Sequence, residues 1–363
     1  MSKAKLIALT TLACGSMASL VADQPANKGT ANGNGSSAQS YVITPSAQPV
    51  VEGDADFFFT ADFIWWKPNQ EGSSVAFTGF SPDGVTNASH GHVLNPHFQF
   101  EPGFKLGVGT TMKHDTWDLY LNWTWFRSEN VKSHHHTKSS ESVFTDLRFS
   151  DTGSNEPRIW AVQEAETRWN MHFNVIDLEL GRNFWISKYL TLRPHFGLKT
   201  AWIHQNQNTE FEGVASTGIA SLTSVAEAEI KMHQHYWGLG IRTGLNTSWH
   251  FDRNWSIYGD FALAALWTDY DNSRRDEFES TQGGTDLVTY RGKSDLHTIE
   301  PVLEIGLGLM YQTWWHNDDY QFTIAAGWEE QVWFNHNQNI NISSHRNGNF
   351  TLQGLTVKVG FEF

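Results

Sequence analysis

The sequence has almost no cysteine, and it lacks a long apolar segment beyond its first residues. Its only cysteine among 363 residues is Cys14, which lies in the predicted leader, so the rest of the chain forms no disulfide. After the leader, the longest uninterrupted apolar run covers residues 261–267. A membrane-spanning helix needs about 20 apolar residues, so the sequence predicts no transmembrane helix.

Positive charge is also scarce. The chain carries 25 lysine and arginine residues against 39 aspartate and glutamate residues, a net charge of −14. Polyanions repel an acidic chain, so we expect neither nucleic acid nor anionic membrane surfaces as general partners.

The first 52 residues carry targeting and linker signals. Lys3 and Lys5 precede an apolar stretch over residues 6–21, which predicts a secretory signal peptide at residues 1–22. Cys14 raises the alternative of a lipoprotein, but the residues before it fit that motif poorly. Residues 23–52 are rich in Asn, Gly, Ser, Gln, Ala and Pro, which predicts a flexible N-terminal arm.

Aromatic residues and alternating patterns, by contrast, are abundant. The chain contains 17 Trp, 24 Phe and 9 Tyr, and Trp and Tyr favour the interface between membrane and water. Residues 355–363 read LTVKVGFEF, in which every second residue is apolar from Leu355 to Phe363. This alternation predicts a β-strand with one apolar and one polar face.

Nine further segments alternate in the same way, which makes ten in all. The connections between them alternate in length. Four are short, at residues 110–116, 183–189, 249–254 and 312–318, and five are long, at residues 67–97, 127–167, 204–231, 269–295 and 335–350. Short turns on one side and long loops on the other are typical of transmembrane barrels. We therefore predict an all-β fold, a transmembrane antiparallel β-barrel of about ten strands over residues 53–363, with short periplasmic turns and long extracellular loops.

Some segments leave the strand assignment open. Residues 75–80 and 143–149 could each add a strand, which would give twelve. Pro194 and Pro301 lie inside two of the segments, where proline cannot donate a ladder hydrogen bond, so we expect bulges or strand ends. The apolar positions at residues 169–175 are out of phase with those that follow, so we expect a bulge or the membrane edge near residues 174–176.

Tryptophans near the ends of the segments indicate two aromatic rims. On the long-loop side we expect a rim formed by Trp66, Trp125, Trp202 and Trp267. The short turns are flanked by Trp185, Trp249, Trp255, Trp314 and Trp315.

The sequence also resembles a known family. The stretches that carry the resemblance are FFFTADFIWWKP at residues 57–68, EPGFKLGVG at 101–109, HDTWDLYLNWTWF at 114–126, DLELGRNFWISKYLTLRPHFGLKTAWI at 177–203 and GLGIRTGLNTSW at 238–249. They resemble the pore-forming, major-outer-membrane-protein-like family of Legionella and chlamydia-related bacteria. The resemblance implies a surface-exposed, porin-like protein of the Gram-negative outer membrane. Because the mature chain has no cysteine, the disulfide-linked lattice of the chlamydial protein is not implied.

The carboxyl-terminal strand carries a further implication of this kind. Outer-membrane barrels end in a similar strand whose final aromatic residue is read by the barrel-assembly machinery. The resemblance therefore implies an assembly signal at Phe361 and Phe363.

Charged residues stand opposite the apolar positions of the segments, where they would face the barrel interior. The candidate pore-lining residues are Lys105, Asp118, Asp177, Glu179, Arg193, His195, Lys199, Arg242, Asp260, Glu300, Glu304, Lys358 and Glu362, with Asp62 on the same face. Buried charges must be paired or hydrated. Two alternatives follow: the charges line a water-filled pore, or they pair across a closed interior.

Other motifs give no defined site. The Gly-x-Gly sequences at residues 107–109, 238–240 and 306–308 lie within strands and precede no helix, so they fail as dinucleotide-binding loops. Histidines cluster in the predicted loops at residues 90–97 and 134–136, and two more, His233 and His235, share a face near a strand end, but no spacing defines a metal site. We therefore predict no cofactor, no metal site and no catalytic residue.

The sequence thus favours an outer-membrane porin that allows passive diffusion of small hydrophilic solutes or ions, with weak cation preference. Its expected partners are outer-membrane lipid, the barrel-assembly machinery and those solutes. One alternative is a non-conducting surface barrel whose long loops bind a host surface or an envelope component. Another is a hydrolase whose site is built from loop residues.

Overall fold

The computed structural model describes residues 56–80, 91–112, 116–136, 142–147, 161–213, 225–280, 287–316, 318–341 and 348–363. The predicted signal peptide and the whole predicted N-terminal arm, residues 23–52, therefore lie outside the described residues. Within the described part, the regular elements are all β-strands, and no helix is long and apolar enough to cross a membrane.

Ten long antiparallel strands form a closed barrel, as the alternation predicts. They are β1 Asp56–Gln70, β2 Glu101–Met112, β3 Trp117–His136, β4 Glu164–Arg182, β5 Leu190–Glu212, β6 Val225–His250, β7 Trp255–Ser280, β8 Leu287–Trp315, β9 Tyr320–Asn337 and β10 Gly348–Glu362. Each strand pairs with its neighbours in sequence, and β10 returns to pair with β1. The backbone groups of Phe363 and Phe57 exchange two hydrogen bonds of 3.1 Å at this seam.

The segments that might have widened the barrel form strands elsewhere. Ala76–Phe80 pairs with Val93–Leu94 and with Ser142–Thr145, which in turn pairs with Ala161–Val162. These four short strands make a separate sheet, so the barrel itself has ten strands. A further short strand, Phe184–Ser187, pairs with the beginning of β5.

Several strands are much longer than a membrane crossing requires. A tilted strand of about 9–11 residues spans the bilayer, whereas β6 and β7 have 26 residues and β8 has 29. The predicted long loop at residues 269–295 is therefore mostly strand, and the strands extend well beyond the membrane on the long-connection side. The connections on the other side remain short, as predicted.

Both prolines lie where a strand is unpaired along one edge. Pairing of β8 with β9 begins at Val302, directly after Pro301. Pro194 lies between the part of β5 that pairs with Phe184–Ser187 and the part that pairs with β4 from His195 onward. Neither proline lies at a bulge or at an end of its own strand, so that expectation was wrong. Each proline fits because the adjoining ladder is missing on one side.

Of the two alternatives expected near residues 174–176, a bulge or the membrane edge, the bulge is absent, because β4 keeps an unbroken register with both neighbours there. Instead, the apolar side chains of β4 change from the outward face to the inward face. We call the half of the barrel nearer the short turns the lower half and the other the upper half. Leu178 faces outward in the lower half, whereas Trp169, Phe173 and Val175 face inward in the upper half and are buried. Below this level the barrel is apolar outside and charged inside. Above it, large apolar side chains point inward and the outer face is polar, although one ion pair, Arg274 with Asp276, is also buried inside.

Candidate functional site: the barrel interior

The charged inward face surrounds a cavity of about 460 Å³ in the short-turn half of the barrel. Ten of the thirteen candidate pore-lining residues line it: Lys105, Asp118, Glu179, Arg193, His195, Arg242, Asp260, Glu304, Lys358 and Glu362. The lining extends to Asn183 and Gln312 near the short turns. We call this cavity the vestibule. The other three candidates, Asp177, Lys199 and Glu300, lie deeper, toward the long-connection side.

One network of ion pairs crosses the inner end of the vestibule. Arg193 donates to Asp118 Oδ2 at 2.9 Å and to Glu179 Oε2 at 3.1 Å. Arg242 pairs with the same Glu179 and donates to Glu304 Oε2 at 2.7 Å. These residues come from β3, β4, β5, β6 and β8, so the network links strands around the barrel.

The network continues through a buried lysine. Lys199 Nζ lies 2.8 Å from Asp177 Oδ1 and 2.7 Å from Glu304 Oε1, and its side chain is 1% exposed. A second network on the other side of the interior joins Lys358 to Asp260 at 2.7 Å and to Glu329 at 3.3 Å, and Lys105 also pairs with Glu329. The interior charges are thus largely compensated by one another.

Sequence reasoning missed Glu329 as an interior charge. The residue directly follows Trp328, which faces outward, so the strand alternation places Glu329 inside. The same alternation places Tyr120 and Tyr258 in the vestibule wall. Glu330 directly follows Glu329, so the alternation of apolar and charged residues is interrupted at this point of the strand.

Above the charged networks, the interior is filled by large aromatic side chains. We define the aromatic layer as Trp66, Phe126, Trp169, Phe173, Tyr236, Tyr270, Trp333 and Phe350, each at most 2% exposed. Phe173 packs edge-on against Trp333 with ring centroids 5.6 Å apart, and Tyr236 packs against Tyr270 at 5.0 Å. Lys199 Nζ lies 5.9 Å from the Trp333 ring centre, so the charged network touches this layer from below.

Trp66 was expected in the outer aromatic rim but lies in this layer. Its side chain is fully buried, and its Nε1 donates to Thr356 Oγ1 at 3.1 Å. Trp65, its neighbour, faces outward instead. In a strand, adjacent side chains point to opposite faces, so the Trp65-Trp66 pair can place only one ring in the rim.

Two further residues complete the packing of the aromatic layer. His336 is fully buried among these rings, and its Nδ1 lies 3.0 Å from Glu300 Oε1, while Tyr270 donates to Glu300 Oε2 at 3.0 Å. Phe98 packs edge-on against Trp169 at 5.1 Å. Glu300 therefore lies inside the aromatic layer and not in the vestibule.

The small second sheet covers the upper interior. Val75, Ala76, Val143 and Leu147 of the sheet region form one apolar cluster with barrel residues that include Phe211 and Ile230. The barrel interior is thus occupied from the ion-pair networks up to this sheet.

Among the described histidines, four stand at inward-facing strand positions: His135, His195, His250 and His336. His204 and His235 face outward on adjacent strands with their Nδ1 atoms 2.7 Å apart. Burial lowers the pKa of His204, and the imidazoles of His235 and His172 lower it further. His134 and His136 pair with Glu164, and His90 lies outside the described residues.

The outer surface in the short-turn half is apolar. Ile241 is 70% exposed there, and similar residues surround the barrel. At the short-turn end, Phe363 contacts the rings of Phe57 and Phe59, at 6.5 and 6.0 Å. This is the surface of a barrel embedded in lipid.

A family model described as the Legionella pneumophila major outer membrane protein precursor matches residues 50–363. The chain belongs to this family. The family suspected from the hairpin motifs is thereby confirmed, and so is the assignment as an outer-membrane β-barrel. No curated protein matches the chain.

Solved structures resemble this major outer membrane protein family member only distantly. The outer membrane protease OmpT from Escherichia coli is 10% identical, with 88% of this chain and 99% of that chain covered and a TM-score of 0.39. A major outer membrane protein from Thermus thermophilus is 11% identical, with 86% and 100% covered and a TM-score of 0.30. OprG from Pseudomonas aeruginosa is 10% identical, with 86% and 99% covered and a TM-score of 0.26. Likeness at this level carries no argument about function.

Proposed function

We propose that the protein is a closed outer-membrane barrel that presents its long-connection half at the cell surface and does not conduct in the conformation described above. The observation that carries this proposal is the aromatic layer. Its eight side chains come from barrel strands, so the interior is blocked by residues of the barrel wall itself and not by a loop alone.

The ion pairs support the same conclusion. A conducting lumen keeps its charges hydrated, whereas Lys199 is almost fully buried between two carboxylates. Taking such charges out of water is favourable only when they are well paired. A ten-strand barrel is also close in size to the eight-strand barrels that side chains fill, and far below the 16–18 strands of aqueous porins.

The surface role follows from the extended strands. They carry the barrel well beyond the membrane on the long-connection side, where they support the second sheet. We propose that this half interacts with a host surface or an envelope component, and that assembly uses the terminal Phe361 and Phe363. No enzymatic activity is part of the proposal.

Porin-like passage of small hydrophilic solutes or ions is the second candidate, and the vestibule favours it. A cavity of about 460 Å³ lined by charged groups extends to the short turns. Solutes could enter it from that side, but passage would require the aromatic layer to rearrange.

Conductance in planar bilayers separates the two candidates. We expect no single-channel current steps from the folded full-length mature protein. The triple variant Trp66→Ala/Trp169→Ala/Trp333→Ala should conduct, because it removes three rings from the aromatic layer. The matched control is Trp123→Ala/Trp267→Ala/Trp328→Ala, whose rings face outward, and it should remain silent.

Regular current steps from the unmodified protein would overturn the proposal and favour the porin. Folding of each variant is checked by the heat-dependent shift of the band on a gel. If the triple variant does not fold, Trp333→Ala alone serves the same purpose, with Trp328→Ala as its control. Adhesion is tested separately by deleting residues 337–347 and measuring binding to host cells.

A further inference from the structure

On the outer wall above the membrane, side chains lie in rows, because neighbouring strands pair residue to residue. The row that contains Trp202 and Trp237 marks the upper edge of the apolar surface. Higher on the same wall, one row is formed almost entirely by cations: Lys132, Arg168, Lys231, Arg275 and Arg291, with Asn208 between the second and third.

The members of this row differ in whether a carboxylate compensates their charge. Arg168 lies 2.8 Å from Glu166 and Lys231 lies 2.7 Å from Glu229, so these cations are neutralised by carboxylates. Arg275 pairs with Glu277. Among the described residues, however, Lys132 on β3 and Arg291 on β8 have no carboxylate partner within ion-pair distance.

The cations without an ion pair lie closest together on β8, within a small patch of positive charge. Arg275 stands directly opposite Arg291, and Lys293 follows on the same face, opposite Ser273. Lys293 likewise forms no ion pair with any described residue. Like charges directly opposite each other destabilise a sheet, so a bound anion would remove a cost that the protein otherwise carries. We call Arg275, Arg291 and Lys293 the β7–β8 cation patch.

A like-charge pair of the opposite sign lies below it. Asp271 stands directly opposite Asp295 on the same two strands, and both are exposed. Guanidinium groups bind phosphate through paired hydrogen bonds, and carboxylate oxygens suit Mg²⁺ and Ca²⁺. The two pairs lie four residues apart along the strands, about 14 Å, so together they complement a headgroup that carries one phosphate at the arginines and another, bound to a divalent cation, at the aspartates.

The height of the patch restricts the kind of lipid that can reach it. The last apolar pair facing outward on these strands is Trp267 with Ile299. At roughly 3.4 Å per residue and a tilt of about 40°, Arg275 lies about 20 Å above Trp267 along the membrane normal. The phosphate of a phospholipid lies near the level of the tryptophans. Only a headgroup that extends several sugar units outward places phosphate at this height.

We propose that the β7–β8 cation patch binds the phosphorylated oligosaccharide headgroup of a glycolipid in the outer leaflet, with a divalent cation shared between that headgroup and Asp271 and Asp295. This rests on the proposed orientation, with the long connections outside. The chain's net charge of −14 argues against general binding to anions, but the patch is local, and two of its three cations form no ion pair with a described residue.

The test measures the thermal unfolding midpoint of the full mature protein in neutral detergent with added Mg²⁺. Four additives are compared: lipopolysaccharide with a phosphorylated core, the same material after enzymatic dephosphorylation, phosphatidylglycerol, and inorganic phosphate. We expect the phosphorylated lipopolysaccharide alone to raise the midpoint, and chelation of Mg²⁺ to reduce the effect.

Variants locate the site. Arg275→Gln/Arg291→Gln/Lys293→Gln should weaken the apparent affinity for the glycolipid at least tenfold. Asp271→Asn/Asp295→Asn should retain binding but lose its dependence on Mg²⁺. The control, Lys188→Gln/Arg253→Gln, removes exposed cations at the short turns and should behave as the unmodified protein.

Equal stabilisation by the dephosphorylated glycolipid or by phosphatidylglycerol would overturn the proposal, as would unchanged affinity in the triple variant. These outcomes are independent of conductance. A conducting protein can still bind the glycolipid, and a silent one can fail to bind it.

Discussion

Arg193 exemplifies how single residues hold the interior together. Its guanidinium donates to Asp118, Glu179 and the amide oxygen of Asn246, the last at 2.8 Å. The planar arrangement of its donors lets one side chain satisfy acceptors on three other strands. Removing it would leave two carboxylates in the interior with fewer partners.

The first prediction concerns this residue. Arg193→Gln should lower the free energy of unfolding by about 3–5 kcal/mol, because it leaves buried charge uncompensated. Urea unfolding of the protein in lipid vesicles, followed by tryptophan fluorescence, measures the change.

Arg253→Gln provides the comparison. Arg253 pairs with Asp318 at 3.2 Å, but its side chain is 59% exposed, so its loss should cost about 0–1 kcal/mol. Similar losses for the two variants would mean that the interior network is hydrated and contributes little.

At the scale of the element, β10 has the most constrained position. It pairs with β9 on one side and β1 on the other, so it closes the sheet. A barrel in lipid can leave no open strand edge, since unpaired backbone groups in hydrocarbon are costly. The last residue of the chain belongs to this seam through its two hydrogen bonds with Phe57.

The second prediction concerns assembly. Phe363→Ala keeps the backbone hydrogen bonds and removes only the ring that contacts Phe57 and Phe59. We expect severalfold less folded protein in the outer-membrane fraction of expressing cells, but a change of at most about 1.5 kcal/mol in the stability of protein refolded in vitro.

Phe251→Ala is the matched control, because Phe251 is an exposed aromatic residue beside a short turn. Its folded yield in cells should be unchanged. If both variants assembled as well as the unmodified protein, the terminal ring would have no role in recognition by the assembly machinery.

For the whole molecule, the main feature is the inversion of polarity along the barrel axis. The lower half has an outer surface suited to contact with lipid, with apolar residues outside and ion pairs inside. The upper half resembles a water-soluble barrel, with an aromatic interior and a polar, charged wall. A position on the outer face therefore favours an apolar residue in the lower half and a polar residue in the upper half.

The third prediction tests this inversion. Ile241→Arg places a charge on the lipid-facing surface and should cost about 2–4 kcal/mol of folding free energy in vesicles. Thr351→Arg, on the outer face of the upper half opposite the neutral Asn69 and Val332, should change stability by less than about 0.5 kcal/mol. Equal costs would show that both positions lie in the same environment.

The sequence by itself determined the closed antiparallel topology and the face on which most side chains lie, but it left the choice between ten and twelve strands open. Alternation with a period of two is a local property, and nine residues such as 355–363 suffice to express it. It also placed the thirteen candidate residues on the side opposite the apolar positions. The strand lengths were underestimated, because residues 269–295 are polar outside and look like loop when apolar outward residues define a strand.

Only the tertiary structure decided that the interior is closed. Alternation assigns Trp169 and Trp333 to a face, but not which face points inward, nor which side chains meet across the barrel. Lys199 and Glu304 lie on strands far apart in sequence, and their contact depends on the radius and stagger of the closed sheet. Local sequence patterns thus predict the strands of the barrel wall. The contacts between side chains in the interior depend on distances across the closed barrel, which no local pattern contains.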